Sequence, residues 1–371
     1  MNQTISNSQI YKLFIIIATA TKFLTLPSFY MRFAGRDAWF SIILNVLVDF
    51  VLLLCVLLIF KAHDNFTFSD VLEKYFGKVI AKILLVLISG YLIFRSIPFI
   101  SENYDILAAV LYEVPNWYAL VFPMYIVAVY LAFKGPRTMG RVAEIMFFFF
   151  IPAMIVFLIL AVSEVNFIEI LPAFEYGLKP PLSAAVKGAT AFGDYGLMLM
   201  FMGRTEGLTS GKQMKGYAIA SGIIILFNFL FVLIFGVIGV YQPDAIIRIT
   251  QYNTSLTNYG RIDWLIALIW QVSQILYLSV LIFGASEFIK SAFNIKGRLP
   301  VMIGIMLIVE ILIKTVFFSA DRINDTFGST MSYYFFALQY FLPLILAIIS
   351  MVKLLKKRRR KQCRLKMYGA K

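Results

Sequence analysis

Apolar runs longer than the ~18 residues needed to cross a hydrocarbon core recur along this chain from about residue 9 to residue 352. Within hydrocarbon every backbone N–H and C=O must be satisfied by the chain itself, so runs of this length fold as membrane helices. With 61% hydrophobic and 15% charged residues, the 371-residue chain has too few charges to cover a water-facing surface. The fold class is an all-α polytopic membrane protein. The polar start MNQTISNSQIYK leads into an apolar run too long for a cleaved signal peptide, so the first helix is expected to stay in the protein.

Ten transmembrane helices are expected, at about 9–33, 38–60, 79–112, 117–133, 142–163, 182–202, 216–240, 262–289, 299–318 and 333–352. Turn formers and charges separate them, as in KAHDN, VPNW, KGPRTMGR, GLKPP, TSGKQ, NIKGR and RINDTFGS. With both termini placed inside, 24 Lys and Arg fall on the cytoplasmic side, ten of them from Lys353 onward. Only Arg32, Arg36, Lys179, Arg248, Arg261 and Arg322 fall outside. The positive-inside bias therefore expects both termini in the cytoplasm. This asymmetry accounts for the net charge of +14 without a nucleic-acid partner. The basic tail 353–371, beginning KLLKKRRRKQCRLK, reads as an anchor on the anionic surface of the lipid bilayer.

Several chemistries are disfavoured. Cys55 lies in an apolar run and Cys363 in the tail, so no disulfide framework is expected. His63 is the single histidine and sits in a polar loop, so neither a metal nor a cofactor is expected. No HExxH, no acidic pair with metal spacing and no Ser/His/Asp set is present, so the chain does not read as an enzyme.

Charges at bilayer depth are costly and usually face a partner or a wet cavity. The basic ones are Lys22, Arg95, Lys187 and Lys314; the acidic ones are Asp49, Glu102, Asp105, Asp194 and Glu310. Glu310 and Lys314, four apart, are expected to neutralise each other. Arg95 and Glu102, seven apart, share one face of the third span, and Lys187 can snorkel from the outer end of the sixth. Lys22 has no such exit. It lies near the middle of its span, ~15 Å from either interface, beyond the reach of a four-carbon stem. It must meet an anion, a carbonyl cluster or water inside the protein.

Lys22 stands in ATATKFLTLP, residues 18–27, with Pro27 closing the stretch. A comparable interruption lies in span six, where GATAFGDYG at residues 188–196 combines three glycines with Asp194. Spans one and six are the first members of two sets of five, so the single permease-like domain divides into repeat one, about 9–163, and repeat two, about 182–352. Interrupted helices at equivalent places in two halves point to an inverted-repeat transporter with a midplane site. A half-helix N-terminus favours a carboxylate, while freed carbonyls and Asp194 favour an ammonium, which together suit a zwitterion such as an amino acid. A buried Lys22–Asp194 pair that only locks the helices is the alternative.

Four stretches carry a resemblance: LTLPSFYMRFAGRDAWFS between spans one and two, KGPRTMGRVAEIMFFFFIP entering span five, NFIEILPAFEYGLKPPLSAAVKGATAFGDYGLMLMF around span six, and YGRIDWLIALIWQVSQ opening span eight. In this order and spacing, nearly end to end, the chain resembles the B subunit of spore germinant receptors, endospore germination permeases of the amino acid–polyamine–organocation superfamily. The resemblance implies a leucine-transporter-type 5+5 inverted repeat with helices one and six broken. It also implies a place in the spore inner membrane beside an A subunit and a lipoprotein C subunit, and the sensing of a nutrient germinant, an amino acid by preference. Related permeases usually carry glycines at the helix-one break; an ammonium here favours a sensor over free passage, and is a candidate to stand where other members of the superfamily hold a sodium ion. A proton- or cation-coupled amino-acid transporter is the alternative. The ligand-binding residues expected are Thr19, Ala20, Thr21, Lys22 and Phe23 at the first break and Thr190, Ala191, Phe192, Gly193 and Asp194 at the second. Spans three and eight flank the broken helices in this fold and are expected to add Tyr91, Arg95, Trp270, Gln271 and Gln274.

Overall fold

The computed structural model describes residues 4–63, 66–111, 116–252, 262–317 and 330–368. Arg261, Arg322 and Lys371 of the charge count lie outside the described residues.

Helix α1, Asn7–Ala20, begins on a reciprocal cap: the Ser6 hydroxyl accepts from Gln9 N–H at 3.3 Å, and the Gln9 side chain accepts from Ser6 N–H at 3.1 Å. Every residue from Leu13 to Ala20 is buried, so α1 is a central helix enclosed on all sides. The chain then loses helical geometry over Thr21–Leu24 and resumes as α2, Thr25–Ala34. Helix α3, Ala38–Ala62, follows, then α4, Phe68–Leu111, which is kinked at Gly77 where φ is 77°. Next come α5, Trp117–Lys134, and α6, Pro136–Ala161.

The second interruption has the same character as the first. Helix α7, Lys179–Gly188, stops after ten residues; a 3-10 turn covers Ala189–Ala191, and a second 3-10 segment runs from Asp194 to Phe201. Beyond it lie α8, Ser210–Phe235; α9, Ala245–Tyr252; α10, Ile262–Phe293; and α11, Leu299–Thr315. Helix α12, Thr330–Phe336, continues through a π-helical turn, Ala337–Phe341, into α13, Leu342–Tyr368.

Among the described residues, seven stretches are long and apolar enough to cross a membrane: Thr25–Ala62, Phe68–Asp105, Trp117–Lys134, Pro136–Glu164, Ser210–Tyr241, Ile266–Phe293 and Tyr333–Lys356. The chain is thus a predominantly helical multi-pass membrane protein. Helices α1, α7 and α11, at 14, 10 and 17 residues, fall short of a full span by this measure, two of them because they break. Helix α1 packs among α6, α8 and α10, while α10 runs along α4 and α13 along α3. At one end of the bundle, strand β1, Ile5–Ser6, pairs in parallel with β2, Thr205–Glu206, tying the segment before the first break to the segment after the second.

Two expectations about isolated side chains change. Glu310 accepts from Trp117 Nε1 and Tyr125 Oη on α5, each at 2.9 Å, while the Lys314 ammonium lies 4.3 Å from the centre of the Trp117 ring. Aromatic donors on the neighbouring helix thus take the place of the i,i+4 ion pair. His63 is buried at the end of α3 rather than open in a loop, with Nδ1 3.2 Å from Ile59 O and Nε2 2.8 Å from Tyr75 Oη.

Candidate functional site

The two breaks meet. The Lys22 ammonium donates to Asp194 Oδ2 and, at 2.8 Å, to Thr21 Oγ1, and it lies 5.0 Å from the centre of the Phe192 ring. Lys22 and Asp194 are 1% and 0% exposed, so the anion that Lys22 requires is supplied by the second break. Asp194 is shared. Arg95 on α4 donates from Nη2 to Asp194 Oδ1 at 2.7 Å and to Phe192 O at 3.1 Å, and from Nη1 to Tyr91 Oη at 2.5 Å. Asp194 therefore accepts from an ammonium, a guanidinium and, at 3.4 Å, the Thr21 hydroxyl. Charge-assisted bonds of this kind are shorter and stronger than neutral ones.

The backbone groups released at the breaks are met largely by the chain. Ala20 O accepts from Trp270 Nε1 at 2.9 Å and from Gln274 Nε2 at 3.2 Å. Phe23 O and Leu24 O accept from the N–H groups of Ile246 and Ala245, which open α9. At the second break, Ala185 O accepts from Asn45, Ala189 O from Tyr340 Oη, and Phe192 O from Gln339 Nε2 at 2.6 Å as well as from Arg95. Gly193 N–H donates to Asp49 Oδ1 at 3.0 Å. An unmet group at this depth costs several kcal/mol, which is why these polar side chains cluster in otherwise apolar helices.

A cavity of about 460 Å³, within the range of small-molecule sites, opens beside this cluster. Arg95, Tyr91, Thr21, Thr190 and Ala191 line it next to the breaks, and Tyr277 and Phe335 add aromatic walls. Farther along the wall stand Arg32 and Lys187, and the carboxyls of Glu102, Asp105 and Asp244. Glu102 accepts from Thr25 Oγ1 at 2.5 Å. Burial, and then the neighbouring Asp105 carboxylate, push the Asp244 carboxyl up to about 6, against the opposing pull of Arg248. The wall thus carries cations and carboxylates together, a pattern that suits a zwitterion.

Of the residues expected from sequence, Thr21, Tyr91, Arg95, Thr190 and Ala191 line the cavity, and Lys22, Phe192, Gly193 and Asp194 stand behind it in the charged cluster. Ala20, Trp270 and Gln274 form the joint between α1 and α10. Thr19 is bonded back to Ile15 O and Ile16 O of its own helix, and Phe23 packs on Phe227 with ring centres 4.3 Å apart. Gln271 is turned toward Met124 Sδ at 3.9 Å and does not share the Gln274 contact.

Gln339 and Asp49 were missing from that set. Gln339 accepts from Tyr91 Oη at 2.7 Å and lies in the π-helical turn. Its only sequence signal is an amide among apolar and aromatic residues in FFALQYFLP. It also explains Gly193: φ there is 84°, and an added Cβ would fall on the Gln339 side chain. Gly193→Ala is therefore expected to destabilise the protein by about 1–3 kcal/mol, combining left-handed strain with overpacking. An unchanged thermal unfolding midpoint in detergent would contradict this.

Residues 4–322 match the family described as spore germination protein. Over 375 aligned residues the chain is 22% identical to spore germination protein KB of Bacillus subtilis (strain 168), with 96% of each chain covered.

Proposed function

The chain belongs to the spore germination protein family, and on that premise we propose that it is the nutrient-sensing B-type subunit of a germinant receptor. The ligand is a zwitterion, an amino acid by preference, held in the cavity between the two broken helices. The observation that carries this reading is Arg95. It reaches from the buried Lys22–Asp194 pair to the wall of a cavity whose farther wall holds Glu102, Asp105 and Asp244. A ligand carboxylate would lie toward Arg95 and its ammonium toward the carboxyls.

In this proposal the interrupted elements complete a set of ten crossings arranged as a leucine-transporter-type 5+5 repeat, residues 9–163 and 182–352. Both termini are cytoplasmic, the membrane is the spore inner membrane, and A and C subunits are the partners. The bonds that Trp270, Gln274 and the start of α9 make to the helix-one break support sensing, because the backbone groups a transported ion would use are already engaged. Proton- or cation-coupled amino-acid transport is the second reading, and the charged wall of the cavity favours it. Uptake of a radiolabelled amino-acid mixture into liposomes holding the full chain separates the two: sensing expects binding without accumulation.

Orientation has its own test. In a cysteine-replaced background, Tyr176→Cys, exposed in the connection before α7, should react with an impermeant thiol reagent only from outside. Lys296→Cys, between α10 and α11, should react only from the cytoplasmic side. Labelling of both from one face would remove the ten-crossing topology.

A further inference from the structure

We propose that Asp49 is a proton site coupled to ligand binding: when a ligand carboxylate neutralises Arg95 from the cavity, Asp49 takes up one proton. This rests on the site reading above. Its basis is the charge balance behind the cavity. Lys22 and Arg95 share one carboxylate, Asp194, which leaves one positive charge uncompensated. Asp49, on α3 and 4% exposed, is the remaining charged group of the cluster, and its Oδ1 accepts the Gly193 N–H one residue from Asp194. Ionised, it brings the cluster to neutrality.

Among the described residues, the charged groups that act on Asp49 are Lys22, Asp194 and Arg95. The phenols of Tyr91 on α4, Tyr195 on the 3-10 segment, Tyr217 on α8 and Tyr340 in the π-helical turn also lie within its field. A carboxylate arriving at Arg95 would leave this buried cluster with an excess negative charge, which a low-dielectric interior resists. Protonating one carboxylate removes it. Asp194 accepts from two cations and a hydroxyl, whereas Asp49 has only the neutral Gly193 N–H among the described hydrogen bonds. Asp49 is therefore the group that takes the proton. The proton goes to Oδ2, so Oδ1 keeps the Gly193 N–H. The proton comes from bulk water, and no bond in the ligand changes.

The test uses purified full-length protein in weakly buffered detergent at about pH 8, well above the ordinary carboxylate range. A mixture of the standard amino acids at the same pH is added; a pH-indicator dye reads protons and thermal unfolding reads binding. The expected result is one proton taken up per ligand bound by the natural chain, and none per ligand bound by Asp49→Asn. Binding without uptake, or equal uptake by Asp49→Asn, overturns the coupling and leaves the site reading standing. If no amino acid shifts unfolding, the site reading falls, and the proton site is read without ligand. Arg95→Met, or Arg95→Gln if that variant does not fold, removes the same charge. It must show a protonated-carboxyl infrared band that vanishes in its double variant with Asp49→Asn; absence of the band rejects the proton site.

Discussion

Asp194→Ala is expected to lose about 3–5 kcal/mol of stability, the largest effect of any single substitution proposed for this chain. The residue carries no exposed surface and is the only carboxylate hydrogen-bonded to both Lys22 and Arg95 among the described residues. Its removal strands the Lys22 ammonium, 1% exposed, with the Thr21 hydroxyl and the Phe192 ring as its remaining partners. Lys22→Met should be milder, because Asp194 keeps Arg95 and Thr21. The double variant Lys22→Met/Asp194→Asn should be less damaged than the sum of its singles, by about 0.5–3 kcal/mol, since contacting residues couple. The measurement is a double-mutant cycle on thermal unfolding in detergent, with protein level in the membrane followed alongside. Additive single effects would show that the two breaks do not depend on each other for charge.

Arg95→Met is expected to shift the nutrient concentration–response to about 30-fold higher concentration or more, the consequence of losing about 2 kcal/mol or more at a buried charge contact. Arg95→Lys should not restore sensitivity. One guanidinium serves Asp194 Oδ1, Phe192 O and Tyr91 Oη at once, and a compact ammonium cannot match that planar fork. The midpoint, not the plateau, is the relevant readout, with receptor abundance quantified in the same spores. A lowered plateau at an unchanged midpoint would make Arg95 structural and move the ligand elsewhere in the chain.

The two breaks were legible in the sequence because each combines features that a membrane helix excludes. A mid-span charge stands beside a proline in one case and among glycines in the other. Arg95 was legible for the same reason. Gln339 was not, since an amide in an apolar span usually only bonds a neighbour, and nothing local ties residue 339 to residues 91 and 192. Asp49 was visible as a charge, but the Gly193 N–H it accepts is 144 positions away. Gln271 and Gln274 were both expected at the site from span eight, yet a three-residue step on a helix leaves enough angular offset for Gln274 to reach Ala20 and Gln271 Met124.

The sequence by itself determined the membrane class and the places where two of the helices fail, because these follow from hydropathy and the energy of local charges. Only the tertiary structure decided which partner answers each failure. Lys22 was bound to need an anion, a carbonyl cluster or water; the fold brings Asp194 to it and adds Arg95 on the far side of the same carboxylate. The cavity likewise draws its wall from α2, α4, α7, α10 and the turn before α9, elements far apart along the chain. Electrostatic energy depends on distances of a few ångströms between such elements, and those distances exist only once the helices have packed.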